Sequence, residues 1–260
     1  MKFLSVLMLG LLMVFVFTGL QNVSADQADE DYKTGLKYYN GDGVKQDYLE
    51  AMKWFLKAAD KGNADAQHNL GVMYAKGTGV AKDYTEAMKW FRKAADQGDA
   101  AGQCDVGVMY EKSLGVSQDY VEAMKWFRKA ADQGDAAGQC LIGLMYVRGE
   151  GVTQNYAEAM KWYRKAADQG NPYAQYNIGI LYRSSKNVHP DYAAAMNWLQ
   201  KAAAQGIAEA EYVIGYMYDC AEGVTKNNSE AQKWYQKAAV HGNVDAEKRL
   251  KTLAQEMEKN

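Results

Sequence analysis

The stretch EAMKWFRKAADQGDAAGQC runs from Glu86 to Cys104, and the same residues run again from Glu122 to Cys140. A chain that repeats one stretch at a fixed distance usually builds one structural unit more than once. The period extends beyond these two copies, because all six tryptophans are spaced 36 residues apart, at Trp54, Trp90, Trp126, Trp162, Trp198 and Trp234. Six copies at constant spacing predict a repeat array rather than an active site present in duplicate.

Each copy predicts two helices joined by a short loop. In the second copy, Ala66, Leu70 and Met73 recur at helical spacing and form one apolar stripe. The letters GTGV then interrupt the pattern, and a second helix follows. Its apolar stripe consists of Ala87, Trp90, Phe91 and Ala94. Aromatic residues at helical period usually belong to a core, so the repeated tryptophans and tyrosines are predicted to be buried.

Capping residues mark the predicted helix ends. Asp83 followed by Glu86 predicts a capping box at the start of the second helix. Gly98 predicts the left-handed residue that ends that helix. In most copies an asparagine or aspartate follows the equivalent glycine and predicts the cap of the next first helix. These caps are Asn63, Asp99, Asp135, Asn171 and Asn243.

Another set of glycines falls inside the predicted first helices, where each costs about 1 kcal/mol relative to alanine. Their constant position opposite the Trp-Phe pair of the partner helix predicts a close approach of the two helices. The set comprises Gly35, Gly71, Gly107, Gly143, Gly179 and Gly215.

The fifth copy departs from the pattern. Its loop reads SSKNV, with Asn187 in the place of a glycine, and Ala194 replaces the acidic residue of the capping box. Asparagine is the residue that best tolerates positive φ after glycine. The last segment keeps the pattern of a first helix but carries more charge, with Lys251 instead of glycine, which predicts a polar terminal cap.

The first 25 residues predict a secretory signal peptide. Lys2 is the only charge before Asp26, and an apolar run and the small residues Ser24 and Ala25 precede the predicted cleavage site. An uncleaved membrane anchor is the alternative, because the run approaches bilayer-spanning length. Cleavage predicts a periplasmic or secreted protein. The expected organisation is signal peptide 1–25, repeats 26–62, 63–98, 99–134, 135–170, 171–206 and 207–242, and capping helix 243–260.

The charge and the cysteine content restrict which classes of function are expected. Cleavage after Ala25 removes one lysine and leaves 29 basic and 32 acidic residues, a net charge of −3. A nucleic-acid binder normally shows a basic excess, so that class is not expected. No later segment is apolar enough to span a membrane. Three cysteines leave at least one thiol unpaired or bound to another molecule.

The repeated residues carry a resemblance. The pattern A-x-x-x-L-G-x-M-Y-x-x-G-x-G-V-x-x-D-Y-x-E-A-x-x-W-x-x-K-A-A-x-x-G resembles the Sel1-like repeat, a relative of the tetratricopeptide repeat, and covers residues 27–258. The resemblance implies an all-α, right-handed superhelical solenoid of stacked antiparallel helix pairs, with the first helices on the concave side. It also implies a protein-interaction adaptor, of a family with many exported bacterial members, and it implies no reaction.

The resemblance further implies that partner contacts come from non-repeating positions of the first helices. These positions form three groups. The basic ladder is Lys76, Lys112 and Arg148, and the aromatic C-terminal half is Tyr173, Tyr176, Tyr212 and Tyr216. The apolar floor is Val72, Val108, Leu144, Ile180 and Tyr216. The candidate partner-binding residues are His68, Lys76, Lys112, Arg148, Tyr173, Tyr176, Arg183, Tyr212 and Tyr216. They suit an extended or helical peptide with some acidic residues. The alternative is that the ladder is ordinary solvated surface.

His68, Cys104 and Cys140 occupy equivalent positions in successive copies, which raises the question of a metal site. Neighbouring helices lie about 8–10 Å apart, which is too wide for three ligands to meet one zinc ion easily. The same spacing exceeds the usual Cα separation of a disulfide, so neither a metal site nor a Cys104–Cys140 bridge is expected.

The sequence offers little for catalysis. It contains no S-x-x-K, G-x-S-x-G or H-E-x-x-H motif, no P-loop and no G-x-G-x-x-G. We therefore expect no catalytic residue, no cofactor and a monomeric scaffold for a protein or peptide partner. The alternative is a cell-envelope hydrolase, or a peptidoglycan- or β-lactam-binding protein of the cysteine-rich Sel1-like type. That branch carries two cysteines per repeat, whereas this chain has three in all.

Overall fold

The computed structural model describes residues 25–184 and 190–258, and all regular secondary structure in those residues is helical. The chain divides into two compact units, the first ending at Ala130 and the second beginning at Ala131. The described residues form thirteen helices. The first, α1, contains residues 25–40. The others are α2 Tyr48–Asp60, α3 Ala64–Lys76, α4 Tyr84–Asp96, α5 Ala100–Glu111, α6 Tyr120–Asp132, α7 Ala136–Arg148, α8 Tyr156–Asp168, α9 Pro172–Arg183, α10 Tyr192–Ala203, α11 Ala208–Cys220, α12 Asn228–Val240 and α13 Val244–Glu258.

Helices adjacent in the chain pack against each other within each unit. In the first unit, α3 contacts both α2 and α4, and α4 also contacts α5. In the second unit, the same succession of contacts runs from α7 to α13. The first helices α3, α9 and α11 therefore each pack between the second helix of their own repeat and that of the repeat before. This arrangement confirms the expected all-α class built from stacked helix pairs.

The second helices begin with a cap that differs from the predicted capping box. Asp83 Oδ1 accepts hydrogen bonds from the amides of Thr85 and Glu86, at 2.9 and 3.0 Å. The amide of Asp83 itself donates to the carbonyl of Tyr74 at 3.0 Å. The Glu86 carboxylate accepts instead from Lys89 Nζ at 2.7 Å. The predicted hydrogen bond from the amide of Asp83 to the carboxylate of Glu86 is therefore wrong, because the carbonyl of Tyr74 already accepts from that amide.

The second helices end as the sequence predicted. Gly98 has φ +94°, its amide donates to the carbonyl of Ala95, and the amide of Asp99 reaches back to Ala94. This pair of bonds is a Schellman motif, which satisfies carbonyls at the helix end. Asp99 Oδ2 then accepts from the amide of Gly102 at 2.6 Å and caps α5. One short turn therefore ends one helix and starts the next.

The residue after each tryptophan lies at the centre of the core. Phe91 is 3% exposed and packs against Gly71 of α3. The equivalent contacts are Gly35–Phe55, Gly107–Phe127, Gly143–Tyr163, Gly179–Leu199 and Gly215–Tyr235. The predicted close approach at the mid-helix glycines is confirmed. It involves the residue after the tryptophan rather than the tryptophan itself.

The tryptophans are less buried than predicted. Trp90 and Trp126 are buried, whereas Trp54, Trp162, Trp198 and Trp234 are half-buried. In every copy a lysine three residues later lies over the indole, at 3.6 to 4.3 Å from the ring centroid. The indoles therefore lie at the edge of the core, where lysine stems cover them. The tyrosines near the ends of the first helices are also half-buried.

Two sequence predictions concern residues outside the described part of the chain. The signal-peptide prediction rests on residues 1–25, of which only residue 25 is described, and the prediction for Asn187 falls in the undescribed range 185–189. Among the described helices, none has both the length and the apolar character needed to cross a membrane. At the C-terminal end, α13 packs against α12 and buries Ala246 and Leu253.

Candidate functional site

The first helices expose one stripe of residues. In α3, Ala66, Leu70 and Met73 are buried, whereas Val72 is half-buried and Lys76 is exposed. The same alternation recurs in the other first helices, so the positions predicted for partner contacts are accessible. We call these residues the first-helix face. In the first unit the face comprises Asp65, His68, Val72, Lys76, Asp105, Val108 and Lys112. In the second unit it comprises Leu144, Arg148, Tyr173, Tyr176, Ile180, Arg183, Tyr212 and Tyr216.

His68 is tied to the neighbouring first helix. Its Nε2 lies 2.7 Å from Asp105 Oδ2 on α5, and its ring lies 5.7 Å from the ring of Phe91. Burial lowers the pKa of His68, but the hydrogen bond and charge of Asp105, together with Asp99 and Asp65, outweigh burial and raise the pKa above its ordinary value. His68 therefore acts first as a link between repeats. Asp105 was not among the site residues predicted from the sequence.

The basic ladder is exposed. Lys76 and Lys112 lie at the C-terminal ends of α3 and α5, and both side chains are exposed. A lysine at a helix C-terminus is also favourable for the helix dipole, so this position has a structural benefit. Arg148 at the end of α7 lies 3.5 Å from Glu150. Lys76 and Lys112 thus offer accessible cations on the first unit.

Arg183 is neutralised within the second unit. Its Nε and Nη2 donate to the two carboxylate oxygens of Glu222, at 2.6 and 3.2 Å. The guanidinium also lies 4.9 Å from the centroid of the Tyr216 ring. The charge of Arg183 is therefore paired with Glu222, unlike an accessible cation of the basic ladder. Glu222, which lies in the loop after α11, was not among the site residues predicted from the sequence.

The predicted tyrosines differ in exposure. Tyr173 is 59% exposed at the start of α9. Tyr176 and Tyr212 are half-buried and pack against one core cluster, and burial raises the pKa of Tyr176. The Tyr212 ring lies 5.4 Å from that of Tyr235. With Ile180 half-buried nearby on α9, the second unit presents a largely aromatic and uncharged part of the first-helix face.

A column of buried polar residues lies behind this face. Gln67 is 6% exposed, donates to the carbonyl of Ala59 and accepts from Gln97 Nε2 at 2.7 Å. Gln139 and Gln175 make the equivalent amide–amide bonds with Gln169 and Gln205. The end repeats replace the amides by charged groups, in the pairs Asp31–Lys61 and Glu211–His241. These polar residues were not predicted from the sequence, although glutamine recurs at Gln67, Gln103, Gln139 and Gln175, every 36 residues.

The cysteines offer one accessible thiol. Cys104 and Cys140 are buried, whereas Cys220 is exposed. Burial raises the pKa of the Cys140 thiol to about 11, although a hydrogen bond from Asn177 opposes that shift. No group of His, Cys, Asp and Glu able to hold a metal ion occurs within residues 25–184 and 190–258. The first-helix face presents apolar, aromatic and charged side chains.

Comparison with known proteins agrees with this architecture. The family model described as Sel1 repeat matches six times, over residues 32–63, 64–99, 100–135, 136–171, 172–207 and 208–243. A Sel1 repeat protein from Oxalobacter formigenes is 33% identical, with a TM-score of 0.78, and the match covers 82% of this chain and 86% of that one. No curated protein matches the chain.

More distant structures share the fold alone. A Sel1 repeat protein from Klebsiella pneumoniae is 21% identical, with 78% and 99% of the two chains covered and a TM-score of 0.56. The immunity protein Pa5087 from Pseudomonas aeruginosa is 22% identical, with 84% and 83% covered and a TM-score of 0.60. The predicted all-α array of repeats is thus confirmed by family and by structure.

Proposed function

The chain belongs to the Sel1 repeat family, and we propose that it is a non-enzymatic scaffold that binds a protein or peptide partner on the first-helix face. Proteins of this family are typically protein-interaction scaffolds. The main support is how the chain uses its residues. Residues present in every copy, such as Gly71 and Gly98, serve packing and helix ends, whereas most positions of the exposed stripe differ between copies. Variation at exposed positions of a constant framework is typical of a binding surface.

The charges on the first unit favour an acidic partner. Lys76 and Lys112 are exposed at equivalent positions of successive repeats, and Val72 and Val108 lie half-buried on the same helices. Charges of this kind guide association more than they set affinity. A partner segment with acidic side chains beside apolar ones complements both features.

The second unit favours aromatic or aliphatic anchors in the partner. Tyr173, Tyr176, Tyr212 and Tyr216 supply large contact area, and tyrosine is enriched among residues that dominate binding energy. The pair of Arg183 with Glu222 holds the Tyr216 end of this surface in one arrangement, which reduces the entropy lost on binding. The superhelical path that would make the face concave stays a prediction.

We further propose that the protein is exported to the periplasm or secreted and acts as a monomer without nucleic acid or a bound metal. The alternative of an envelope hydrolase or β-lactam-binding protein is less well supported. Three cysteines are too few for the cysteine-rich pattern, and Cys104 and Cys140 are buried. Incubating the purified protein with a β-lactam or peptidoglycan tests this alternative, and turnover or stable binding would favour it.

Affinity capture with defined variants tests the proposal. Partners captured by the wild type from an envelope or secreted extract are quantified against Tyr176→Ala/Tyr212→Ala and against Lys76→Glu/Lys112→Glu. Tyr173→Ala adds a variant whose exposed side chain contributes little to folding. Lys45→Glu/Lys226→Glu, at exposed loop positions, is the charge control. We expect capture to fall with the face variants and to persist with the control. Unchanged capture of every partner by folded face variants would exclude this face.

A further inference from the structure

The pair of His68 and Asp105 joins two first helices on the face proposed for docking. His68 lies on α3 and Asp105 on α5, so their 2.7 Å contact connects consecutive repeats on the exposed side of the first unit. In the core, α4 packs against both α3 and α5. The side-chain contact on the exposed side adds a direct link between the two helices where a partner would lie.

Every ionised group described around His68 favours the imidazolium form. Asp105 faces it from α5, Asp99 caps α5, and Asp65 lies one turn earlier on α3. On the α4 side, the aromatic ring of Phe91 packs against the imidazole. Three carboxylates therefore surround one imidazole that is only partly exposed.

We propose that His68 and Asp105 form a pH-sensitive clasp, which holds α3 against α5 while His68 is protonated and loosens when the proton leaves. A neutral imidazole can still donate from Nε2, but the bond then loses its charge assistance, and charge-assisted hydrogen bonds are roughly twice as strong as neutral ones. Because the pKa of His68 is raised, the clasp is complete at low pH and weakens as pH rises through that pKa.

The clasp gives the docking face two states, and this consequence rests on the proposed function. Below the pKa of His68, the imidazolium neutralises Asp105, and Lys76 and Lys112 offset the other two carboxylates, Asp65 and Asp99. Above it, the Asp105 carboxylate faces the partner uncompensated. An acidic partner is therefore expected to bind more tightly at low pH, through both the charge and the fixed helix spacing.

An NMR titration of the free protein tests the clasp without any partner. The imidazole signals of His68 and His241 are followed in the wild type and in Asp105→Asn. We expect the pKa of His68 to lie above about 6.5 in the wild type and to fall by about one unit or more in the variant, because an adjacent opposite charge shifts a pKa by 1–3 units. His241, paired with Glu211 on other helices, is the internal control. An unchanged His68 pKa in Asp105→Asn would overturn the proposal.

Hydrogen exchange then measures whether α3 and α5 loosen when His68 loses its proton. Amide protection in α3 and α5, corrected for intrinsic rates, is expected to drop between about pH 5.5 and about pH 8 in the wild type but not in His68→Gln. A pH effect that persists in His68→Gln would contradict the clasp.

A synthetic peptide of alternating glutamate and phenylalanine is expected to bind the wild type roughly threefold more tightly at the lower pH, with the difference lost in His68→Gln. If this peptide binds at neither pH, the docking proposal is weakened, while the NMR and exchange results still decide the clasp.

Discussion

Gly71 of α3 lies so close to Phe91 of α4 that a Cβ atom at residue 71 would come within 2.5 Å of Cδ1 in the aromatic ring. Real Cβ atoms do not approach an aromatic carbon so closely, and Phe91 is too buried to move aside. The glycine therefore sets how near the two helices of a repeat can lie. This contact explains why a residue unfavourable in helices recurs at the same place in all six copies.

Gly71→Ala is expected to lower the free energy of unfolding by up to about 2 kcal/mol. Overpacking a core costs about 1–3 kcal/mol, and alanine recovers about 1 kcal/mol of helix propensity. Urea unfolding followed by circular dichroism measures the change. In a Phe91→Ala background the obstacle is gone, so the same substitution should stabilise the protein. A loss of equal size in both backgrounds would show that the ring is not the cause.

The end of α4 gives a second prediction, independent of packing. Gly98 has φ +94°, and apart from Gly98 and its two chain neighbours no residue has an atom within 4 Å of where its Cβ would be. Gly98→Ala should lower the free energy of unfolding by about 1–2 kcal/mol, because left-handed backbone is costly for residues with a Cβ. Gly98→Asn should cost less, since asparagine tolerates this region better. Equal urea midpoints for wild type and Gly98→Ala would contradict the prediction.

The sequence was sufficient for features that depend on neighbouring residues. Gly98 and Asp99 end one helix and start the next through bonds within a few residues, so their roles follow from the local pattern. The exposed stripe of the first helices follows from helical periodicity in the same way. Which of two adjacent aromatics points inward does not follow, because Trp90 and Phe91 are equally apolar and only packing selects Phe91 for the centre.

Contacts that depend on how the repeats stack could not be predicted from the sequence. Asp105 lies 37 residues after His68, and Glu222 lies 39 residues after Arg183. Each pair lies on consecutive repeats, with the partner offset from the equivalent position. The offset depends on the rotation between repeats, which residue types alone do not reveal. Two candidate residues, His68 and Arg183, therefore turned out to be partly engaged within the protein.

The C-terminal helix is expected to depend on a buried carboxylate. Asp219 is 5% exposed and accepts hydrogen bonds from Tyr235 Oη at 3.2 Å and from Arg249 Nε of α13 at 2.7 Å. Arg249→Ala leaves that charge without its cation, and breaking a buried pair costs about 3–5 kcal/mol. Urea unfolding should show the loss.

A matched control lies on the same helix. Lys248 pairs with Asp245 at 3.0 Å, and both side chains are largely exposed. Lys248→Ala should change the free energy of unfolding by less than about 1 kcal/mol, as exposed pairs do. If both alanine variants unfolded at the same urea concentration, the importance of the Asp219–Arg249 bond would be refuted.

The three thiols should differ in reactivity. Cys220 is exposed, whereas Cys104 and Cys140 are buried. With the pKa of Cys140 raised to about 11, only about one molecule in a thousand carries its thiolate near pH 8, and the thiolate is the reactive form. Iodoacetamide at that pH should therefore add one group to the folded protein and three to the protein in urea, as read by intact mass. Cys220→Ser should remove the single native adduct. Rapid modification of Cys140 in the folded variant would show that its burial does not protect it.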